Sequence, residues 1–373
     1  MSRATAAFVC VILTGLICAR AGATVYVVVG GSGAGTSWAD ALGSVQDGID
    51  AAFPTSDQVW VGKGTYVELI TLKAGVAVYG GFVGTEANLA DRPPFPRPTP
   101  VDPNASILDG NAGGSVVTAP SGLTATARLD GFTLTNGKND FGGGGILCQS
   151  SSPTIVNNTI TANHATRGAG IYCLTASPTI SANVISLNRA DDYGGGVCCE
   201  TSASPTISGN TITGNRAGYY GGGIDAEFDC SPVISGNTIS DNRAGNDGGG
   251  IYCYDASSPV TTDNIIDLND AGRYGGGVCC YWNSSPILTN NTIVSNTASR
   301  NGAGIDLIID CSSSISNNIV AFNSSGIAVY ASAPVLRNND VYNPAGLNYD
   351  GLASATSPPP RSALRQPRRE QLP

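Results

Sequence analysis

Histidine occurs once in the 373 residues, at His164, and no two cysteines are spaced Cys-x-x-Cys. A zinc knuckle or an imidazole-rich metal centre is thereby excluded. No Gly-x-Ser-x-Gly element marks a serine nucleophile. Charge is scarce as well, at 13% of residues, with 28 acidic against 19 basic side chains and a formal net charge of -9. Arg3 and Arg20 at one end and Arg361, Arg365, Arg368 and Arg369 at the other hold much of the positive charge, so the middle of the chain is more acidic still. That balance excludes nucleic acid and anionic membrane as partners. Long apolar runs are missing apart from Ala6 to Cys18, which is too short to span a bilayer. Met1-Ser2-Arg3 before it and Ala21-Gly22-Ala23 after it read as a secretory signal over residues 1–23, leaving no membrane-spanning segment once it is cleaved.

What is present is a repeat. Pro153, Pro178, Pro205, Pro232, Pro259, Pro286, Ser313 and Pro334 open eight copies, mostly 27 residues apart. Five residues on, every copy has an asparagine: Asn158, Asn183, Asn210, Asn237, Asn264, Asn291, Asn318 and Asn339. Ten residues on, the first seven have another: Asn163, Asn188, Asn215, Asn242, Asn269, Asn296 and Asn323. Apolar residues recur two and seven positions past the proline, as at Ile207 and Ile212, and again after a glycine run, as at Ile224. Each copy thus holds three short, β-branched segments punctuated by Asn or Gly. A period this regular implies a solenoid. The expected fold is all-β, a right-handed parallel β-helix of three-strand coils, about 27 residues each and rising by the ordinary strand spacing of about 4.8 Å. The asparagines suit left-handed corners and side-chain ladders, and the Gly-Gly-Gly runs suit tight corners. Cys148, Cys173, Cys199, Cys253 and Cys280 lie two residues past the third apolar position and should stack inward as small hydrophobes.

In chain order, residues 24–90 read as an N-terminal cap with the first strands. Ser37 is expected to cap a helix carrying Trp38, Leu42, Val45, Ile49 and Ala52 on one face, closing the end of the β-helix. Residues 91–103 are a proline-rich excursion, 104–350 the parallel β-helix repeats, and 351–373 a basic tail without core pattern, expected to be disordered.

The segments Thr36-Ser37-Trp38-Ala39-Asp40-Ala41-Leu42, Val59-Trp60-Val61-Gly62-Lys63-Gly64-Thr65-Tyr66 and Val78 to Glu86 resemble the start of secreted bacterial right-handed β-helix repeat proteins. Gly223-Ile224 and Ile212-x-x-Asn215 are similar to the alternating motifs of polymorphic outer-membrane protein repeats. The resemblance implies a pectin-lyase-like fold and a place in the extracellular medium or on the outer cell surface. These families mix adhesins, carbohydrate-active enzymes and proteins of unknown role, so activity has to be argued from the site.

If the third apolar column points inward, the residues one and three later face solvent. That places Glu200, Asp225 and Glu227 beside Tyr172, Tyr252, Tyr254 and Tyr281, with Trp282 close by. Carboxylates on adjacent coils suit an acid/base pair or a Ca²⁺ site, so Glu200, Asp225 and Glu227 are the candidates for both; the Tyr and Trp rings would stack on sugars. Arg216 is the candidate catalytic base. A second cluster lies at the corner before the glycines, where Arg189, Arg216 and Arg243 stack among Tyr193, Tyr219, Tyr220, Asp247, Arg273 and Tyr274. The favoured expectation is a secreted or cell-surface monomer, non-catalytic and without an obligatory cofactor, that binds polysaccharide or a surface partner through this Tyr/carboxylate face. The alternative is a Ca²⁺-assisted polysaccharide lyase or other carbohydrate-active enzyme on acidic glycans. A groove with a cation directed into it would favour the enzyme, a flat face the binder.

Overall fold

The computed structural model describes residues 23–53, 57–95 and 103–351. The expected signal up to residue 22, the excursion over 96–102 and the basic tail from 352 lie outside the described residues. The chain winds as a parallel β-helix whose strands form three long sheets and one short one. The first sheet has twelve strands, from Thr24–Val27 to Val335–Arg337. The second runs from Gly64–Val67 to Asp340–Tyr342 and the third from Ile70–Thr71 to Tyr349–Asp350, with eleven strands each. Pairing is parallel and in register, so identical residues of successive coils meet: Ile180 with Ile207 with Ile234 in the first sheet, Ile185 with Ile212 with Ile239 in the second, Val197 with Ile224 with Ile251 in the third. All nine are fully buried. Each contributes about 1.5–3 kcal/mol by leaving water.

The asparagines hold this stack in register. Asn237 Nδ2 donates back to Ile207 O at 2.9 Å and forward to Asn264 Oδ1 at 2.9 Å. Its Oδ1 accepts from Asn210 N and Asn210 Nδ2, at 2.9 and 3.0 Å. Asn242 repeats the pattern in the second column. Each ladder side chain therefore ties three coils together in the dry interior. The second ladder continues one coil further than the spacing indicated, through Asn343, whose Oδ1 accepts from Asn323 N at 2.8 Å. The ladder asparagines are not the left-handed residues. Positive φ falls on the residue before each of them up to Asn339, such as Ala182, Leu187, Gly209, Gly214 and Asp241, because the turn must be completed before the Asn side chain can point inward.

The expected corner after the second ladder is a strand of its own. A seven-stranded short sheet runs from Lys138–Gly142 to Thr297–Ala298. Its inward column is Ala165, Ala190, Ala217, Ala244 and Ala271, all buried, and only so small a residue lets the backbone lie this close to the core. The glycines that follow let the chain fold back over the outer face of the third sheet. Gly221 and Gly248 have φ of +63° and +69°, and a Cβ on either would sit 2.5 Å from the Cβ of Asp225 or Tyr252.

The helix differs in extent from its expectation. Trp38–Asp40 is a 3₁₀ turn, and α1 spans only Val45–Ala51 with Ser44, not Ser37, as its cap. Leu42 is held in a parallel bridge to Val27, which interrupts the helical pattern. Glu68 accepts from Val45 N and Gln46 N at 2.7 and 3.1 Å, satisfying two orphan donors of the first turn. Val45, Gly48 and Ile49 are the buried face of α1, and Gly48 packs against Val27 and Val59, so the helix does cover the open end. Trp38 joins Tyr26, Trp60 and Phe82 in a ring cluster outside the first sheet. All nine cysteines of the described residues are buried free thiols. Cys148, Cys173 and Cys199 stack inward in register, as do Cys253 and Cys280.

Replacing Asn237 by Ala removes four hydrogen bonds and strands Ile207 O and Asn210 N in the interior. We expect a loss of roughly 3 kcal/mol or more, since each unsatisfied buried group costs about 1–3 kcal/mol. Leu187→Gly, at an exposed position with φ of +57°, should be neutral or slightly stabilising. Calorimetric melting of both variants checks the contrast.

Candidate functional site

The residue before the first glycine of each run forms one column: Arg167, Tyr193, Tyr220, Asp247, Tyr274 and Asn301. Arg167 pairs with Tyr193, Tyr193 with Tyr220, and Tyr220 with Asp247. Folding the short sheet over the third sheet makes this column the wall of a groove. The floor comes from the third sheet, three residues past its inward column: Glu227, Tyr254, Tyr281 and Ile308. The groove encloses about 960 Å³ and runs on to Tyr330 and Asp350.

Aromatic rings line it continuously. Tyr193 stacks on Tyr220 at 5.5 Å, Tyr220 on Tyr252 at 4.7 Å, and Tyr252 on Tyr254 at 6.4 Å. Tyr254 stacks on Tyr281 at 6.0 Å and meets Trp282 edge-on at 6.2 Å. Trp282 is half-exposed and Tyr330 exposed, while Tyr252 is buried beneath its neighbours.

Two arginines enter the groove, and each is engaged. Arg167 Nη1 donates to both carboxylate oxygens of Glu200 at 2.9 Å, and Tyr172 OH donates to Glu200 Oε2 at 2.5 Å. Arg273 donates through Nε and Nη2 to Asp247, at 3.2 and 2.6 Å, and Tyr274 N donates to the same carboxylate at 3.2 Å. Such charge-assisted, two-point pairs are among the stronger hydrogen bonds.

The remaining carboxyls are perturbed. Burial foremost, then the neighbouring Glu200, pushes Glu227 up to about 7, against the opposing pull of Arg167. Burial, then Asp247 and Asp350, pushes Asp306 up to about 7. Asp225 is raised well above the carboxylate range by complete burial and by Glu227. Cys198 Sγ donates to Asp225 Oδ2 at 3.3 Å, and Asp225 Oδ1 has no partner among the described residues.

These facts redistribute the residues expected at the site. Glu227, Tyr252, Tyr254, Tyr281 and Trp282 line the groove. Glu200 stands behind it as the anchor of Arg167. The face is not a solvent face one position past the inward column, because the backfolded glycines seal it. Tyr172 and Asp225 are fully buried, so Tyr172 cannot stack on a sugar and serves to orient Glu200. Arg216 is on the outer surface of the short sheet, in register with Arg189 and Arg243, and does not reach the groove. In that column Arg243 is 3.5 Å from Asp270, an ordinary surface ion pair. Glu200, Asp225 and Glu227 do not form a Ca²⁺ cage. Glu200 is committed to Arg167 and Tyr172, Asp225 is sealed from solvent, and no group of three or more His, Cys, Asp or Glu among the described residues is placed to hold a metal ion. Arg167 and Asp306 had no place in the expected chemistry; position before or after the glycine run is the signal that marks both. Of the second expected cluster, Tyr193, Tyr220, Asp247, Arg273 and Tyr274 join the third-sheet face in one site, and the Arg189, Arg216 and Arg243 column stays outside it.

The family model described as "Right handed beta helix region" matches residues 121–293 and 218–357. Two solved structures align with the chain at 12% identity. Pectate lyase Pel9A aligns over 87% of this chain and 81% of its own with a TM-score of 0.45. The A-module of the Azotobacter vinelandii mannuronan C-5 epimerase AlgE6 aligns over 83% and 94% with a TM-score of 0.39. No curated protein matches the chain.

Raised carboxyls make stability depend on pH in a defined direction. Between about 4 and about 7 the unfolded chain has released the Glu227 and Asp306 protons while the folded chain keeps them, so stability falls as pH rises through that window and levels off above it. We expect a lower melting temperature at pH 8 than at pH 5. Glu227→Gln with Asp306→Asn should flatten the difference. A double variant with the wild-type pH profile contradicts this.

Proposed function

The chain belongs to the right-handed β-helix family, and from that premise we propose that it binds a polysaccharide strand lengthwise in the groove over its third sheet. In this reading it is a secreted or cell-surface monomer and does not cleave its ligand. The observation that carries the proposal is the run of tyrosines, Tyr193, Tyr220, Tyr252, Tyr254 and Tyr281, laid across successive coils and ending beside Trp282. Sugar rings present apolar faces to such rings and hydroxyls to the carboxylates between them. A groove open to solvent along its length, with polar groups on one wall, accepts a chain rather than a compact small molecule.

One observation favours an enzyme. Glu227 lies next to Glu200 in register on adjacent coils, and its carboxyl is pushed up to about 7 by burial first and Glu200 second, a range suited to proton transfer. The arginines do not complete that site. Both guanidiniums that line the groove among the described residues are bound by carboxylates, and Arg300 at its edge is directed to the Tyr274 hydroxyl, so neither lining arginine is free to serve as base or to neutralise a uronate.

Tyr254→Ala, Tyr281→Ala and Trp282→Ala together should weaken polysaccharide binding about 10- to 2,000-fold, at about 0.5–1.5 kcal/mol per ring, without altering the fold. Glycan arrays and calorimetry give the affinity, and an assay for new chain ends on the same ligands gives the activity. Chain ends that appear with wild type and vanish in Glu227→Gln would replace the binder by the enzyme.

A further inference from the structure

The charges that remain after pairing indicate what kind of sugar the groove takes. Arg167 is neutralised by Glu200 and Arg273 by Asp247, the latter pair at 2.6 Å. Glu227, Asp306 and Asp350 are left facing the same space, so the groove is acidic on balance. Asp350 accepts from Asn301 Nδ2 at 3.0 Å. Asp306 is 2% exposed, lines the groove, and its Oδ2 has no hydrogen-bond partner among the described residues. Residue 302 is glycine, and a Cβ there would have stood 2.7 Å from that oxygen, so no side chain of the neighbouring corner crowds it. A buried carboxyl oxygen without a partner carries a standing desolvation cost that a donor from a ligand would relieve.

An anionic sugar is the wrong donor, since a uronate carboxylate has no proton to give that oxygen and would meet Asp350 and the partly ionised Glu227 and Asp306, while Arg300 beside that end is directed to the Tyr274 hydroxyl, to which it donates at 3.1 Å. An inorganic cation needs several converging oxygens, and no such cluster exists among the described residues. An ammonium group needs one or two acceptors and gains from an aromatic face beside them. Asp306 supplies the acceptor, and Tyr330 and Ile308 the less polar surround.

We infer that the end of the groove formed by Asp306, Asp350 and Asn301 is a subsite for a free amino group, so that the ligand is a glycan containing unacetylated hexosamine units. This rests on the polysaccharide-binding reading above. In the complex the ammonium donates to Asp306 Oδ2 and holds that carboxyl ionised, and the neighbouring sugar rings lie over Tyr281 and Tyr254.

Calorimetric titration of the full chain at pH 7 with three tetrasaccharides tests it: β-linked glucosamine, the same chain N-acetylated, and galacturonate. The glucosamine chain should bind at least tenfold more tightly than its acetylated counterpart, lose affinity as salt is raised, and lose that preference in Asp306→Asn. The Asn variant keeps the shape and removes a buried ionisable group, so it should fold, and circular dichroism verifies this. Asp350→Asn provides a second readout and should cut the preference in part. Equal binding of the two hexosamine chains, or tightest binding of galacturonate, overturns the amine subsite while leaving the glycan groove standing. No binding of any of the three with wild type overturns both.

Discussion

Every coil has to present the same backbone groups at the same height to the coil above and the coil below, and the asparagine ladders enforce this. Parallel strands of three residues, such as Thr206–Ser208 and Thr211–Thr213, are too short to set their own register against slippage. A buried asparagine side chain that must satisfy a carbonyl behind it and an asparagine ahead of it cannot shift by one residue without stranding polar groups in a dry core. The fold therefore tolerates Thr261 in an isoleucine column, buried and without a partner for its hydroxyl among the described residues. It keeps all eight asparagines of the first ladder. The constraint acts on the inside of the coil only. The outside is free to vary, and that is where the groove was built.

The interior was legible because it repeats. The proline, the two asparagines, the isoleucine columns and the inward cysteines each occupy a position counted from the start of the copy, and parallel pairing converts equal counts into contact. The groove was only half legible for the same reason. Tyr254, Tyr281 and Glu227 follow from alternation along the third sheet, with Trp282 next to them, whereas Tyr172, Asp225 and Tyr252, one position past the inward column, are buried rather than in solvent because alternation says nothing about a second layer. That layer depends on the short sheet, whose two-residue strands such as Arg216–Ala217 are below the length at which a period of two can be seen. The alanine column beneath it and the positive-φ glycine after it are the physical marks of a chain folding back on itself. Counting back one residue from that glycine identifies Arg167, Tyr193, Tyr220, Asp247, Tyr274 and Asn301 as one wall. The N-terminal helix is shorter than its apolar spacing implies, because that spacing continues through Leu42, which belongs to a bridge with Val27.

Burial and charge pairing then shape the chemistry of the groove. The backfolded glycines exclude water from the third-sheet face, and that raises Asp225, Glu227 and Asp306 and keeps the Tyr172 hydroxyl protonated as a donor to Glu200. Arg167 and Arg273, the cations that line the groove among the described residues, are each consumed by a carboxylate that would otherwise be buried unpaired. A site built in this way has little positive charge to offer a ligand. It offers aromatic surface, partly protonated carboxyls and one buried oxygen in want of a donor, a combination suited to holding sugars rather than to abstracting a proton beside a uronate.

The crystal structure of the chain with a bound β-linked glucosamine oligosaccharide tests the central claim most directly, because it locates the ligand without assuming a mechanism. The account predicts sugar rings stacked over Tyr254, Tyr281 and Trp282, the strand running across successive coils, and an amino nitrogen within hydrogen-bond distance of Asp306 Oδ2. A ligand seated on the outer face of the first or second sheet, or beside Arg189, Arg216 and Arg243, would contradict it.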